Sequence, residues 1–306
     1  MTTGRTASVA RAVVAAFAAF FAVAIAVAQR DPPRETPESD EPDDDGPATS
    51  ASAPGPASGP DAPPEPAPLP TATQEGMVRV PGGTFRMGST GRKAQPNETP
   101  VHAVTVSPFH MDVTEVTVGA YRACVTRGAC VPPTITSSQC TWDKGDAELP
   151  MSCVSFVEAQ VFCAAEQKRL PTEAEWELAA RGTSERTYPW GDDVPDCEHA
   201  IAKKGDKTTD GCGDGPKRVD PRRGRSPYGV ADLAGNVEEW VADHYDDRYP
   251  PAENRAVVDP RGPAVGTARV LRGGGFLSPR ASIRVSARSW ASAAERGANV
   301  GFRCAR

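Results

Sequence analysis

Lys168-Arg169-Leu170-Pro171-Thr172-Glu173-Ala174-Glu175-Trp176-Glu177-Leu178-Ala179-Ala180-Arg181-Gly182 is the best-marked element of this 306-residue chain. Thr172 and Glu175 have capping-box spacing, in which hydroxyl and carboxylate each satisfy the other residue's free amide. Glu173 and Glu175 put negative charge in the first turn, where the helix dipole favours it. Gly182 follows Arg181, where a C-terminal cap belongs. A helix from Thr172 to about Arg181 follows. Beyond it, Tyr188-Pro189-Trp190-Gly191 opens a stretch rich in Gly, Pro and Asp that runs to about Pro263 with few periodic segments. An irregular stretch that long inside a compact domain needs disulfides or bound ions to hold it.

Toward the N-terminus, Ser155-Phe156-Val157-Glu158 repeats the capping-box spacing. Val157, Val161 and Ala164/Ala165 keep a helical period, which predicts a helix from Ser155 with those residues on its apolar face. Another helix is expected from near Thr117 to just before Gly128. Gly76–Gly88 alternates apolar and polar residues around Pro81-Gly82-Gly83, the pattern of two short strands and a turn. Val101–Val106, Phe109–Val113, Arg269–Leu271, Ile283–Ala287 and Val300–Cys304 are further strand candidates. Short strands, two or three helices and extended loops make an α+β domain.

The flanking composition divides the chain into three. Residues 1–28 carry Arg5 and Arg11 before an uninterrupted apolar run from Ala12 to Ala28, which ends in Ala26-Val27-Ala28. This is the pattern of a signal peptide with its small-x-small cleavage site. An uncleaved N-terminal anchor is the alternative, and the run sits at the short edge of the ~20 residues that span a bilayer. Residues 29–75 hold 13 of the 31 prolines and almost nothing to bury, so they are expected to be a disordered Pro/Ala/Asp-rich linker. Residues 76–306 form the domain. The net charge of −6 is the balance of −9 in residues 31–74, +3 in residues 1–30 and zero in residues 75–306. A neutral domain gives no electrostatic footprint for nucleic acid. Membrane contact is expected only through residues 1–28, and the product is secreted, periplasmic or envelope-anchored.

All eight cysteines (124, 130, 140, 153, 163, 197, 212 and 304) lie in the domain. An even count in an exported chain points to disulfides, whose pairing the spacing alone leaves open. Cys197, His199 and Cys212 are the competing metal reading. Against it, no CxxC pair exists and the four histidines are scattered.

Several blocks then occur in a meaningful order: MVRVPGGTFRMGS (77–89), VTEVTVGAY (113–121), KRLPTEAEWELAARG (168–182), YPWG (188–191), SPYGVADLAGNVEEW (226–240), RVLRGGGF (269–276) and VGFRCA (300–305). In that order they resemble the formylglycine-generating enzyme, or sulfatase-modifying factor, family over about residues 76–306. The resemblance implies a loop-rich C-type-lectin-like fold. It also implies oxidation of a cysteine in a sulfatase-type protein substrate, using oxygen and copper held by two cysteines after the glycine motif. Here those positions are Ser278 and Ile283, and the serine usual at Gly275 is missing. Soft thiolates capture Cu(I) and exchange with a substrate thiol; serine and isoleucine do neither. The expectation is therefore a non-catalytic or divergent domain that binds a peptide or protein, without copper. The alternative is a formylglycine-generating or non-haem-iron oxidoreductase. Iron remains open, although residues 1–75 hold no histidine for the helical histidine domain of the iron-dependent relatives. A lectin-like carbohydrate module rests on fold analogy alone.

The resemblance also implies a structural calcium site from the Asp232 and Glu239 side chains and the Gly235 and Val237 carbonyls, all hard oxygen donors. A second, weaker site would use Asp210 and the Ile201 and Cys212 carbonyls, with Ala200 where the family has an asparagine. Cys163 and Cys304 match a family disulfide, and Cys197–Cys212 is a plausible clip on the irregular loop. The other four cysteines are left to pair among themselves. Arg269, Arg272, Arg280, Arg284, Arg288 and Arg303 crowd the C-terminal region; they read first as anchors for buried carbonyls and acids such as Asp232 and Glu238. Ser278, Arg280, Arg288, Trp290 and Asn299 are the candidates to line an inherited groove.

Overall fold

Helix α3 (Glu173–Arg181) begins and ends where its caps put it. The Glu175 amide donates to Thr172 Oγ1 at 3.1 Å and the Thr172 amide to Glu175 Oε2 at 2.8 Å, closing the capping box. Gly182, at φ 70°, donates its amide to the Leu178 carbonyl at 2.8 Å. All nine helical residues are buried, charged ones included, because the helix lies against strands of two sheets. The interior acids survive by pairing. Glu175 takes both guanidinium arms of Arg169 at 2.6 Å. Glu177 takes Arg181 at 2.7 Å and Arg272 at 2.5 Å.

The computed structural model describes residues 76–306, apart from 93, 135–136, 204–211, 213 and 252–255. The leader and linker readings, and Asp210 of the weaker calcium set, lie outside the described residues. None of the described helices is long and apolar enough to cross a membrane. The domain is α+β and loop-rich.

Strands β1 (Met77–Val80) and β2 (Gly83–Met87) flank the Pro81-Gly82 turn but do not pair with each other. β1 pairs antiparallel with β4 (Phe109–Asp112), and β2 with β3 (His102–Val106). The short β6 (Val257–Val258) adds to β3 in parallel. A four-stranded sheet has the order β8 (Arg288–Ser292), β7 (Ala268–Arg272), β5 (Glu238–His244), β9 (Val300–Phe302).

Three expectations are corrected. α2 (Phe156–Ala165) starts at Ser155 with a complete capping box, but its buried residues are Phe156, Ala159, Phe162 and Cys163. Val157 and Val161 are 57% and 44% exposed. The period is helical and the phase is wrong: Phe162 stacks on Tyr121 of α1 (Val118–Thr126) and meets Phe302 edge-on, which turns the valines outward. Residues 283–287 form no strand. Arg280–Ser282 is a 3-10 turn, and Ile283 and Val285 are buried from a loop whose carbonyls bond Arg272. Finally, the stretch read as irregular contains β5, an inner strand of the four-stranded sheet. Its residues Glu239, Trp240 and Val241 are buried in succession, so no alternation marks it.

Four disulfides are formed: Cys124–Cys130, Cys140–Cys153, Cys163–Cys304 and Cys197–Cys212. No cysteine is free among the described residues.

Candidate functional site

β7 delivers Arg272 into the loop Gly273-Gly274-Gly275-Phe276. Gly274 has φ 61°, and a Cβ on it would stand 2.8 Å from the Ser282 carbonyl, 3.0 Å from Ile283 Cγ2 and 3.1 Å from Ser278 Cβ. Only glycine fits there, because Ser278 and Ile283 both pack against this position. Gly275 is also closed in: its Cβ would meet the Asn299 carbonyl at 3.0 Å and the Glu238 amide at 3.1 Å. A serine at this position requires its neighbours to move.

Ser278 closes a turn on Gly275. Its amide donates to the Gly275 carbonyl at 2.8 Å, and its Oγ accepts the Gly275 amide at 3.0 Å, leaving the hydroxyl proton available to a ligand. Ile283 is fully buried among Tyr188, Ala200, Ala202 and Ala234. Beside this turn lies a recess of about 180 Å³ lined by Glu238, Ser278, Ser282, Ser289, Arg284 and Arg288, among others. Both arginines are already engaged. Arg284 holds Glu98 through both arms, at 2.9 and 2.5 Å. Burial works against the Glu98 charge, but hydrogen bonds from Arg284, Ser89 and Ser286 outweigh it and keep the carboxyl below its usual range. Arg288 holds Glu173 at 2.6 and 3.0 Å. Glu238 has no arginine: burial pushes its carboxyl up to about 7, against one hydrogen bond with Ser289.

The residues expected in the groove are only partly gathered. Ser278 and Arg288 line the recess; Arg280, Trp290 and Asn299 do not. Arg280 donates to the Tyr188 hydroxyl at 3.2 Å. Trp290 is 56% exposed on β8, tilted against Tyr245. Asn299 contributes its carbonyl to the Glu238 amide at 2.7 Å. Sequence reasoning missed Glu98, which sits outside every motif. It also assigned Glu238 to an arginine, where the structure gives it Ser289.

The expected calcium donors lie beneath the same loop. Asp232, at φ 55°, is buried; its Oδ2 accepts the Asp220 amide at 2.9 Å and its Oδ1 accepts Arg223 at 2.9 Å. Glu239 is bound by both arms of Arg303, at 2.8 and 2.7 Å, and by the Trp176 indole at 2.8 Å. A third buried acid, Glu115, faces both. Its Oε1 accepts the Asn236 amide at 3.0 Å, and its Oε2 has no partner. Burial, then repulsion from Asp232 and Glu239, raises the Glu115 carboxyl well above its usual range. Three acids thus face two arginines and leave a surplus negative charge and an orphaned oxygen, which suits a hard cation. Among the described residues no group of three His, Cys, Asp or Glu side chains is gathered to hold an ion by side chains alone.

The sulfatase-modifying factor enzyme 1-like domain family matches residues 62–306. A formylglycine-generating enzyme of Streptomyces coelicolor is 34% identical over 77% of this chain and 90% of its own length. The inactive C-alpha-formylglycine-generating enzyme 2 of Bos taurus is 30% identical over 75% of this chain and 87% of its own. Among solved structures, PvdO from Pseudomonas aeruginosa superimposes with a TM-score of 0.64 at 26% identity, covering 79% of this chain and 98% of that one.

Proposed function

This chain belongs to the sulfatase-modifying factor enzyme 1-like family, and from that membership we propose that it is an exported domain which binds a peptide or protein segment at the recess beside Ser278 without oxidising it. The carrying observation is chemical. Ser278 and Ile283 both pack against Gly274 and stand at the positions where the family resemblance expects two thiols, and the chain's eight cysteines are consumed in four disulfides. A hydroxyl and a branched alkyl group neither capture Cu(I) nor exchange with a substrate thiol. The recess keeps Glu238 and the Ser278 hydroxyl, groups sufficient to orient a bound chain by hydrogen bonds. Four disulfides suit an oxidising compartment. Relatives are named both as a formylglycine-generating enzyme and as an inactive one, so the reading rests on residue chemistry.

The test presents the full chain with a peptide carrying a Cys-x-Pro-x-Arg core, oxygen, reductant and copper, read by mass spectrometry and by direct binding. The expected result is binding without conversion to the aldehyde, and conversion by the double variant Ser278→Cys/Ile283→Cys. Aldehyde from the natural chain would overturn the reading, as would failure of both proteins to bind any peptide.

The calcium reading is part of the same proposal. Asp232, Glu239 and the Gly235 and Val237 carbonyls would hold Ca²⁺, with Glu115 supplying further negative charge. When bound, the ion would tie the 232–239 loop to the sheet and offset the surplus charge. Calcium at a hundred times its dissociation constant is expected to add about 2.7 kcal/mol of stability, seen as a higher melting temperature than in chelator. Identical melting curves would remove the site.

A further inference from the structure

β5 ends at Asp243 and His244, and residues 246–251 and 257–263 fold over that end beside Thr99–His102 and the start of α3. They enclose a cavity of about 1030 Å³ walled by Pro100, Pro250, Pro251, Pro260 and Pro263, roomy enough for an organic ligand. It is distinct from the recess at Ser278, and Arg288 is the side chain the two share.

Asp243 is 4% exposed. Its Oδ2 accepts the Glu173 amide at 2.8 Å. Asp243 lines the cavity with its Oδ1 near Gly262, and among the described residues the hydrogen bond seen at this carboxylate is the one to Oδ2. The neighbouring charges at the floor are spent. Glu173 takes Arg288 through both arms, the Tyr249 hydroxyl at 3.2 Å and Arg272 at 3.4 Å. Arg288 also donates to the Asn97 and Asp246 carbonyls. Asp243 is therefore the less occupied of the two floor carboxylates.

The surroundings say which ligand would satisfy it. Glu173 and Glu175 of α3 repel a charge on Asp243, and Arg288 of β8 only partly offsets them; burial comes first, and together these push the carboxyl up to about 7. Arg269 of β7 senses Asp243 but spends a donor on the Ala242 carbonyl. Asp246, Arg248 and Arg261 stand at the mouth with His102 and His244 on the walls. A buried acceptor in a negative local field is best completed by a positive donor.

We propose that this cavity is a second binding site for a protonated amine or guanidinium carried on an apolar stem, its head on Asp243 Oδ1 and its stem along the proline wall. Such a group comes from a small organic amine or from a lysine or arginine side chain of a polypeptide.

The test is calorimetric titration of the full chain with n-butylamine and Nα-acetyl-lysine amide, against their neutral counterparts n-butanol and Nα-acetyl-norleucine amide. Both amines are expected to bind at least about tenfold tighter than the neutral molecules at pH 8, and to weaken about tenfold by pH 6 as Asp243 takes up a proton. Asp243→Asn keeps an acceptor for the Glu173 amide and is expected to abolish the difference. Should that variant fail to fold, carbon-13 NMR of Asp243 in the natural chain decides: saturating amine must move its titration to lower pH. Equal binding of neutral and charged probes, no saturable binding of either amine, or an unmoved titration would overturn the proposal. Tighter binding of the lysine amide assigns a polypeptide side chain; tighter binding of butylamine assigns a free amine. Since the Ser278 recess plays no part, peptide oxidation or its absence there leaves the outcome unchanged.

Discussion

Replacing Arg272 by methionine is expected to destabilise the domain by about 3–5 kcal/mol, the range for breaking a buried, hydrogen-bonded ion pair from one side. The guanidinium is fully buried. It donates to Glu177 at 2.5 Å and to the carbonyls of Val285, Ala287 and Ser286 at 2.7, 2.9 and 3.3 Å. Its loss leaves Glu177 to Arg181 and the Gly88 amide and strands three carbonyls in a loop that has no sheet ladder to hold them. Each unsatisfied buried acceptor carries a desolvation cost of about 1–3 kcal/mol. The melting temperature is expected to fall by on the order of 10 °C. The paired change Arg272→Met/Glu177→Gln is expected to recover part of that, because it removes the carboxylate left short of donors. Arg218→Ala, at an exposed pair with Asp146, is the control and is expected to leave the melting curve essentially unchanged, because solvent screens such a pair. An Arg272→Met melting curve that coincides with the control would mean that the loop at 285–287 stands without its anchor.

The second large effect is expected from Cys163 and Cys304, which join α2 to the segment after β9 across a sequence separation of 141. In the chain-entropy account, freeing so long a loop in the unfolded state costs on the order of 5 kcal/mol, a model-dependent upper figure. Both sulfurs lie in the core that holds Phe162, Trp240 and Phe302, so alanine at both positions also leaves a small void there. Cys163→Ala/Cys304→Ala is expected to melt well below the natural chain, with the C-terminal segment loosened first in hydrogen exchange. The same double change at Cys124 and Cys130, separated by 6 residues, is expected to cost less, because a short loop loses less entropy on closure. An unchanged melting curve for the long-range pair would count against its structural role.

The contrast between Arg272 and the rest of the arginine cluster illustrates what a sequence discloses. The reading of these residues as anchors for buried carbonyls and acids was available from their density in a loop-rich segment. Their actual partners were not. Asp232 is held by Arg223, Glu239 by Arg303, Glu98 by Arg284, and Glu238 by no arginine. The Glu239 and Glu98 pairs join residues 64 and 186 positions apart, so nothing local encodes them, whereas Asp232 and Arg223 share one loop. The misread face of α2 has the same origin. Its apolar residues lie all round the helix, and the buried arc is selected by Tyr121 and Phe302, which arrive from elsewhere in the chain.

Local chemistry alone determined the start of α3 and α2, the cap at Gly182, the α+β class and the absence of thiols at positions 278 and 283. These features depend on residues within a few positions of one another, or on side-chain identity, and need no partner from afar. Tertiary structure decided the rest. It packed Ser278 and Ile283 against Gly274, hid β5 in a stretch without alternation by burying both its faces, and set three acids against two arginines beneath the glycine loop. It also set Asp243 in the wall of a second cavity. Those are outcomes of long-range packing and of charge pairing in a desolvated interior, where the energy of each group depends on neighbours that sequence distance does not reveal.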